Sequence, residues 1–304
     1  MSNLVNTQEA LRNYDPQSKK SLDELYFQKN EYLMTWQINN LCNYNCTYCG
    51  HFVKDDPDVY KYSPEHIMEC FNRKGRIWHI IITGGEPFLY KNIIELTKLL
   101  TSRHFISVNT NLSLPVVLKF ADVIDPSRVI VINASIHYFI HEERKTLENY
   151  ISNFLYLQDK GFNIVGSYVV YPDLLESYKS HFDYLHSRGL KNISSKIFHG
   201  YYKDKKYPEA YTEKELAEIT TYMCSEIEMP EYLKYTKFTG LKCAAGRKML
   251  SMMPNGNLER CLSDRLPMGN FFTGKYRLPL WDKKCKVPEC LCPYQGMLYS
   301  KNNK

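Results

Sequence analysis

The sequence predicts an α/β fold: a partial (β/α)6 TIM-like barrel followed by a small cysteine-rich α+β unit. Three observations predict it. Six apolar, β-branched runs alternate with helical runs between Glu31 and Phe198, and strands spaced by helices form a parallel sheet. The alternation stops after Pro230. Eight of the ten cysteines fall into two groups, one just after the first strand and one beyond the last. Eight units would close a full barrel, so six leave it partial.

The elements follow in order. Glu31 to Ile38 reads as the first strand and runs into the first cysteine group. Ser63-Pro64-Glu65 starts a helix with a cap, a proline at the first helical position and an acid; it continues to Lys74. Trp78 to Ile82 is a short apolar run of the kind found in buried parallel strands. Asn92 to Ser102 carries Ile93, Leu96, Leu99 and Leu100 at helical spacing. Phe105 to Val108 is a strand, Pro115 to Phe120 a helix, and Arg128 to Ile136 a strand. Thr146 to Lys160 is a helix ended by Gly161, Asn163 to Val170 a strand, Leu174 to Ser187 a helix ended by Gly189, and Ile193 to Phe198 the sixth strand. Glu213 to Glu228 reads as a linking helix. Pro254-Asn255-Gly256-Asn257, between two short apolar runs, signals a hairpin. The expected division is an extension over 1–30, the barrel over 31–205, a link over 206–235 and the small unit over 236–304. A unit that small has a modest core, and a metal centre would staple it.

Composition removes several classes. The chain has 304 residues, 44% hydrophobic and 24% charged, an ordinary globular balance. Its formal charge of +6 is spread along the chain, so no nucleic-acid partner is expected. No apolar run is long enough to span a membrane, and Met1 to Asn30 is polar with no secretory pattern, so the expected location is cytoplasmic. In a reducing compartment grouped cysteines point to metal or catalysis rather than disulfides. Cys70 and Cys224 stand apart and read as buried core thiols.

Cys42-Asn43-Tyr44-Asn45-Cys46-Thr47-Tyr48-Cys49 is C-x3-C-x2-C. Three soft ligands on one loop suit an iron–sulfur cluster with one open iron; His51 as a fourth ligand would favour zinc instead. Thr83-Gly84-Gly85-Glu86-Pro87 follows the second strand. The two motifs together resemble the radical S-adenosylmethionine (SAM) superfamily, whose signature has this spacing, an aromatic before the third cysteine and a GGEP motif one strand later. The resemblance implies that Cys42, Cys46 and Cys49 bind a [4Fe-4S] cluster and that SAM chelates its fourth iron. It implies that Gly84, Gly85 and Glu86 meet the methionyl amino group and that Tyr48 lies near the adenine. Asn111, Ser135 and Ser167 fall where the family lines its SAM pocket, with Thr110 beside Asn111. His137, at the end of the fourth strand, is expected to touch SAM or substrate. His199 and Tyr201 follow the sixth strand on the same rim.

The second group holds Cys243, Cys261, Cys285, Cys290 and Cys292. Cys243-Ala244-Ala245-Gly246, the turn and Cys261 resemble the opening of a SPASM or Twitch domain. Five cysteines suffice for one auxiliary [4Fe-4S] cluster: Cys243 and Cys261, with two of Cys285, Cys290 and Cys292. A single zinc ion is the alternative. The surplus thiol, with Cys285 a candidate, would donate hydrogen to a substrate radical. Asp264 and Arg265 are further polar candidates.

The resemblance implies reductive cleavage of SAM to methionine and a 5′-deoxyadenosyl radical, fed by an electron donor such as flavodoxin or ferredoxin. The expected substrate is a small polar molecule, a sugar, polyol or nucleotide-linked sugar, undergoing dehydrogenation, epimerisation or rearrangement. Only 41 residues precede Cys42, too few for a leader-peptide recognition domain. The alternative is a peptide- or protein-modifying maturase. A third reading is an iron–sulfur protein that has lost SAM cleavage, against which the intact GGEP argues.

Overall fold

Apolar strands buried on both faces must lie inside a layered fold, and the second run does so. In this computed structural model, which describes residues 32–49, 60–223, 239–288 and 290, Trp78–Gly84 (β2) is buried at six of its seven positions. It pairs in parallel with Tyr32–Asn39 (β1) on one side and Phe105–Thr110 (β3) on the other. Val129–Ile136 (β4), Ile164–Val170 (β5) and Ile193–Ile197 (β6) continue the parallel order, so the six expected strands form the partial barrel wall.

Between them run Pro64–Asn72 (α1), Ile93–Thr101 (α2), Val116–Val123 (α3), Tyr138–Arg144 (α4), Leu147–Asp159 (α5) and Tyr178–Ser187 (α6). Ser63 caps α1 by accepting from the backbone of His66 at 3.3 Å. Leu174 belongs to a preceding 3-10 turn, so α6 starts later than its periodicity suggests. Gly200–Tyr202 (β7) and Lys205–Tyr207 (β8) form a short hairpin that the sequence reading lacked. Glu213–Thr221 (α7) begins at a full capping box between Thr212 and Glu215; the expected extension beyond residue 223 lies outside the described residues.

The two faces of the sheet differ in chemistry. One carries Met34, Trp36, Ile80, Ile82, Val108, Ile132, Ile136 and Tyr168 into the core with Phe71, Leu96, Phe120 and Phe154 from the helices. Burying each such side chain stabilises the fold by about 1.5–3 kcal/mol. The registers put Gln37, Thr83, Asn109, Asn133, Ser135, Ser167 and Lys196 on the other, inner face. Helices cover the outer face; the inner face carries hydrogen-bonding groups.

The sheet does not stop at β1. Beyond the two-residue strand Lys242–Cys243 (β9), Met249–Met252 (β10) pairs in parallel with β1, with Leu33 opposite Met249. Asn257–Glu259 (β11), Pro267–Asn270 (β12) and Lys275–Tyr276 (β13) extend it antiparallel to ten strands, and Lys283–Lys284 (β14) pairs with β9. The expected hairpin is the β10–β11 turn. Phe271 and Phe272 follow β12 and pack on α1: Phe271 lies 4.9 Å from Phe71, and Phe272 meets Trp36 edge-on at 5.9 Å.

Candidate active site

Parallel strands end on one side, so the loops after β1 to β5 converge there. The cysteine loop leaves β1 at Asn39, and the glycine turn leaves β2 beside it. Gly85 N–H donates to Asn39 O at 3.1 Å, Glu86 N–H to Leu41 O at 2.6 Å, and Asn39 Nδ2 to Glu86 O at 2.9 Å. Any side chain at Gly84 or Gly85 would collide with this ladder. A Cβ on Gly84, whose φ is +146°, would stand 2.5 Å from Asn39 O, and one on Gly85 would press into the Leu41 carbonyl. The glycines are therefore required by the close approach of the two loops.

Glu86 is buried and ties β2 to β3. One carboxylate oxygen accepts from Phe88 N–H at 3.0 Å and Thr110 Oγ1 at 2.8 Å, the other from Asn111 N–H at 2.7 Å. Burial nevertheless pushes its pKa up to about 7, against those hydrogen bonds. Asn111 Nδ2 donates to Asn43 Oδ1 at 2.9 Å, so β3 also braces the cysteine loop.

The helix α4 closes the other side. His137 precedes it, and its Nδ1 lies 2.7 Å from Tyr48 Oη and 3.2 Å from Cys46 Sγ. The imidazole stacks on Tyr48 with centroids 5.9 Å apart. Desolvation pulls the His137 pKa down to about 4, so the ring is neutral near pH 7. One tautomer accepts the Tyr48 proton at Nδ1; the other donates to the Cys46 sulfur. Tyr44 packs edge-on between His137 and His141, and Arg144 Nη1 donates to Asn43 O at 2.6 Å. The thiols themselves are neighbours of like charge: burial, then Cys49 and Cys42, raise Cys46 to about 12. Burial likewise raises Cys42. A bound cation centre reverses that penalty, because metal binding drives thiols to thiolates.

The inner-face serines sit in register, Ser135 opposite Ser167, and the Ser167 hydroxyl donates to Asn133 Oδ1. Below them the second cysteine group lies on the same inner face. Cys243, Ala244, Ala245 and Cys290 pack with Leu33, Ile81 and Met249, and Cys261 lies against this cluster. Cys285 is buried close enough to Cys243 to raise its pKa further, after burial; Cys243 reaches about 11. Arg260 holds these segments together. It is 5% exposed, pairs with Asp264 at 2.6 Å, and donates to Ala245 O at 3.3 Å and Lys283 O at 3.0 Å. Asp264 N–H donates to Cys261 Sγ at 3.1 Å. Among the described residues, no three His, Cys, Asp or Glu side chains converge on a single-ion site. Cys292 and His51 lie outside the described residues.

Residues 36–185 match the radical SAM superfamily. That stretch, just under half of the chain, carries the radical SAM family pattern. A radical SAM core is thus what the β1 to β5 strand ends carry. An 84-residue stretch is 34% identical to 7-carboxy-7-deazaguanine synthase of Clostridium acetobutylicum, covering 26% of this chain and 38% of that protein, well under half the relative's length. The fold resembles anSMEcpe with bound AdoMet, at a TM-score of 0.57 and 16% identity over 80% of this chain and 75% of that one. It also resembles Streptococcus suis SuiB bound to S-adenosylmethionine, at 0.59 and 15% over 85% and 68%.

Within this matched stretch, the structure brings Cys42, Cys46, Cys49, Tyr48, Gly84, Gly85, Glu86, Asn111 and His137 to one end of the sheet, with Ser135 and Ser167 just inside it. His137 faces the cysteine loop. Asp264 is engaged by Arg260, and Tyr201 is 73% exposed on β7. Arg260, Arg144 and Asn43 were missed, because their roles depend on contacts between distant segments.

Proposed function

We propose that this protein uses SAM radical chemistry to modify a peptide or protein substrate held against the inner face of the sheet. The observation that carries the substrate class is the fold likeness, over 80–85% of this chain, to enzymes solved with peptides. anSMEcpe has been solved with the Cp18Cys peptide, and SuiB with its precursor peptide SuiA. The inner wall of Gln37, Asn109, Asn133 and Ser135 supports the same reading, since amides and hydroxyls match a peptide backbone.

Cys42, Cys46 and Cys49 fit a [4Fe-4S] cluster by donor type and by their place on one braced loop. When reduced and bound to SAM, the cluster supplies the electron that yields methionine and a 5′-deoxyadenosyl radical. The chain's own residues do the rest. Gly84 and Gly85 leave room for close backbone approach, His137 and Tyr48 hold the cysteine loop, and Ser135, Ser167 and Asn111 line the way to the inner face. Cys243, Cys261, Cys285 and Cys290 fit one auxiliary cluster. The reductant is a flavodoxin or ferredoxin type of donor. Cysteines grouped to hold clusters suit a reducing, cytoplasmic setting.

A small-molecule substrate is the second reading, favoured by the 84-residue similarity to a protein named for a modified guanine. The test is anaerobic turnover with SAM and dithionite, using deuterated peptides in one arm and deuterated sugars, polyols and guanine derivatives in the other. Deuterium should enter 5′-deoxyadenosine from the peptide arm. Transfer from the small molecules alone would overturn the peptide reading.

A further inference from the structure

The far edge of the sheet carries a surface that the radical chemistry does not use. The ten-stranded sheet ends on β13. Beside that edge lies an open groove of about 810 Å³, lined by Leu266, Met268, Lys275, Arg277, Leu278 and Lys283 among others. Its volume is in the range of ligand clefts, and the segment that supplies its lining is unusual in two independent ways.

The first is charge. From Arg260 to Lys286 the chain carries seven basic side chains and two acidic ones. Both acids are already engaged: Asp264 pairs with Arg260, and Asp282 with Arg247 at 2.5 Å. The surface left over is strongly positive. The second is exposed apolar area. Four of the eight large exposed apolar side chains among the described residues lie in this same segment: Leu266, which lines the groove, and Leu262, Leu280 and Trp281, the last two 86% and 63% exposed. Exposed apolar groups rimmed by like charges mark a docking surface. A sheet edge beside a groove favours an extended chain, whose backbone pairs with the edge while alternate side chains enter pockets. Charge complementarity selects an acidic one.

We propose that this groove docks an acidic, leucine-like segment of the peptide substrate, in extended form along β13. The proposal rests on the peptide reading above. Because Lys283 lies opposite Cys243 in the β9–β14 pair, a chain seated here would lie beside the second cysteine group.

The test uses the full chain and fluorescence anisotropy with two labelled octapeptides, one alternating Glu and Leu, the other alternating Lys and Leu. The acidic peptide should bind at least tenfold more tightly, and the preference should fall in high salt. The double variant Lys275→Glu/Arg277→Glu should lose at least tenfold affinity, and Leu280→Ser should lose affinity with its salt dependence intact. Circular dichroism and dithionite-driven 5′-deoxyadenosine formation without substrate should be unchanged in both. Equal binding of the two peptides, or wild-type binding by the charge-reversed variant, would overturn the proposal. Loss of reduced flavodoxin binding in that variant, with peptide binding intact, would also overturn it and assign the groove to the electron donor. Deuterium transfer from a peptide that is indifferent to the groove variants would sink the docking site alone. Groove-dependent binding with no peptide ever turned over would sink the substrate reading alone.

Discussion

The first cysteine loop hangs from the ends of three long strands, whereas the second group is gathered by strands of two residues, an apolar contact with Leu33 and Ile81, and one buried arginine. Around the first loop, Gly85, Glu86, Asn111, Arg144 and His137 supply hydrogen bonds from β2, β3 and α4. Around the second, the side chain that ties the segments together is Arg260, which reaches Asp264, Ala245 and Lys283, beside short backbone bonds such as Cys285 N–H to Leu241 O at 2.8 Å. The difference teaches that the first loop is braced by the barrel itself, whereas the second group would draw more of its rigidity from the auxiliary cluster proposed above. Small units with thin cores are commonly stapled this way.

The largest effect expected of that contrast is in iron and stability together. Anaerobically reconstituted chain should hold about eight irons, falling to about four on Cys42/Cys46/Cys49→Ala with little change in the melting temperature. Cys243/Cys261/Cys285→Ala should also fall to about four, but with a clear drop in melting temperature. Equal melting of the two triple variants would erase the contrast. Next comes Arg260→Ala. Removing one partner of a buried pair costs about 3–5 kcal/mol, so denaturant melts should shift by that order and the auxiliary iron should be lost while the first cluster stays.

A smaller effect sharpens the comparison from the other side. His137→Ala should lower iron retention by the first loop about 10–100-fold against a chelator, the usual loss when a partner of a metal ligand is removed. It should also shift that cluster's redox midpoint, read by electron paramagnetic resonance, and leave the auxiliary signal alone. The smallest effect is a pH slope in iron-free chain. Glu86 has its pKa raised from 4.5 to about 7 by burial. The folded chain therefore holds a proton that the unfolded chain has released, and this contribution is full below pH 4.5 and lost as pH rises to about 7. Between those values stability should fall by about 1.4 kcal/mol per pH unit and then level. Glu86→Gln should abolish that part of the slope in urea melts run across the range.

Much of this architecture was legible in local sequence. The six parallel strands follow from apolar runs, the start of α1 from its Ser-Pro-Glu cap, and the first loop from cysteine spacing read with the glycine turn. What stayed hidden was non-local or atypical. Helix α4 begins at an aromatic, β-branched stretch and ends on Lys145, which takes a left-handed φ of 54° where a glycine signal would be looked for. Arg260 carries no local signal of its role, because only the folded chain surrounds it with carbonyls. No periodicity could show that β10 would lie parallel to β1, since pairing partners are not written in the pattern of either strand.

That last pairing bears on how the molecule comes into being. Tyr32–Asn39 leaves the ribosome early, yet the strand that covers its outer edge, Met249–Met252, emerges only after the rest of the barrel wall. Through most of synthesis, then, the strand that feeds the first cysteine loop presents an open row of backbone donors and acceptors beside Met34 and Trp36. Such an edge invites pairing with another chain. Any shortened version ending before Met249 would carry that exposed edge permanently, and would be prone to aggregate even though every strand between β1 and β6 is intact.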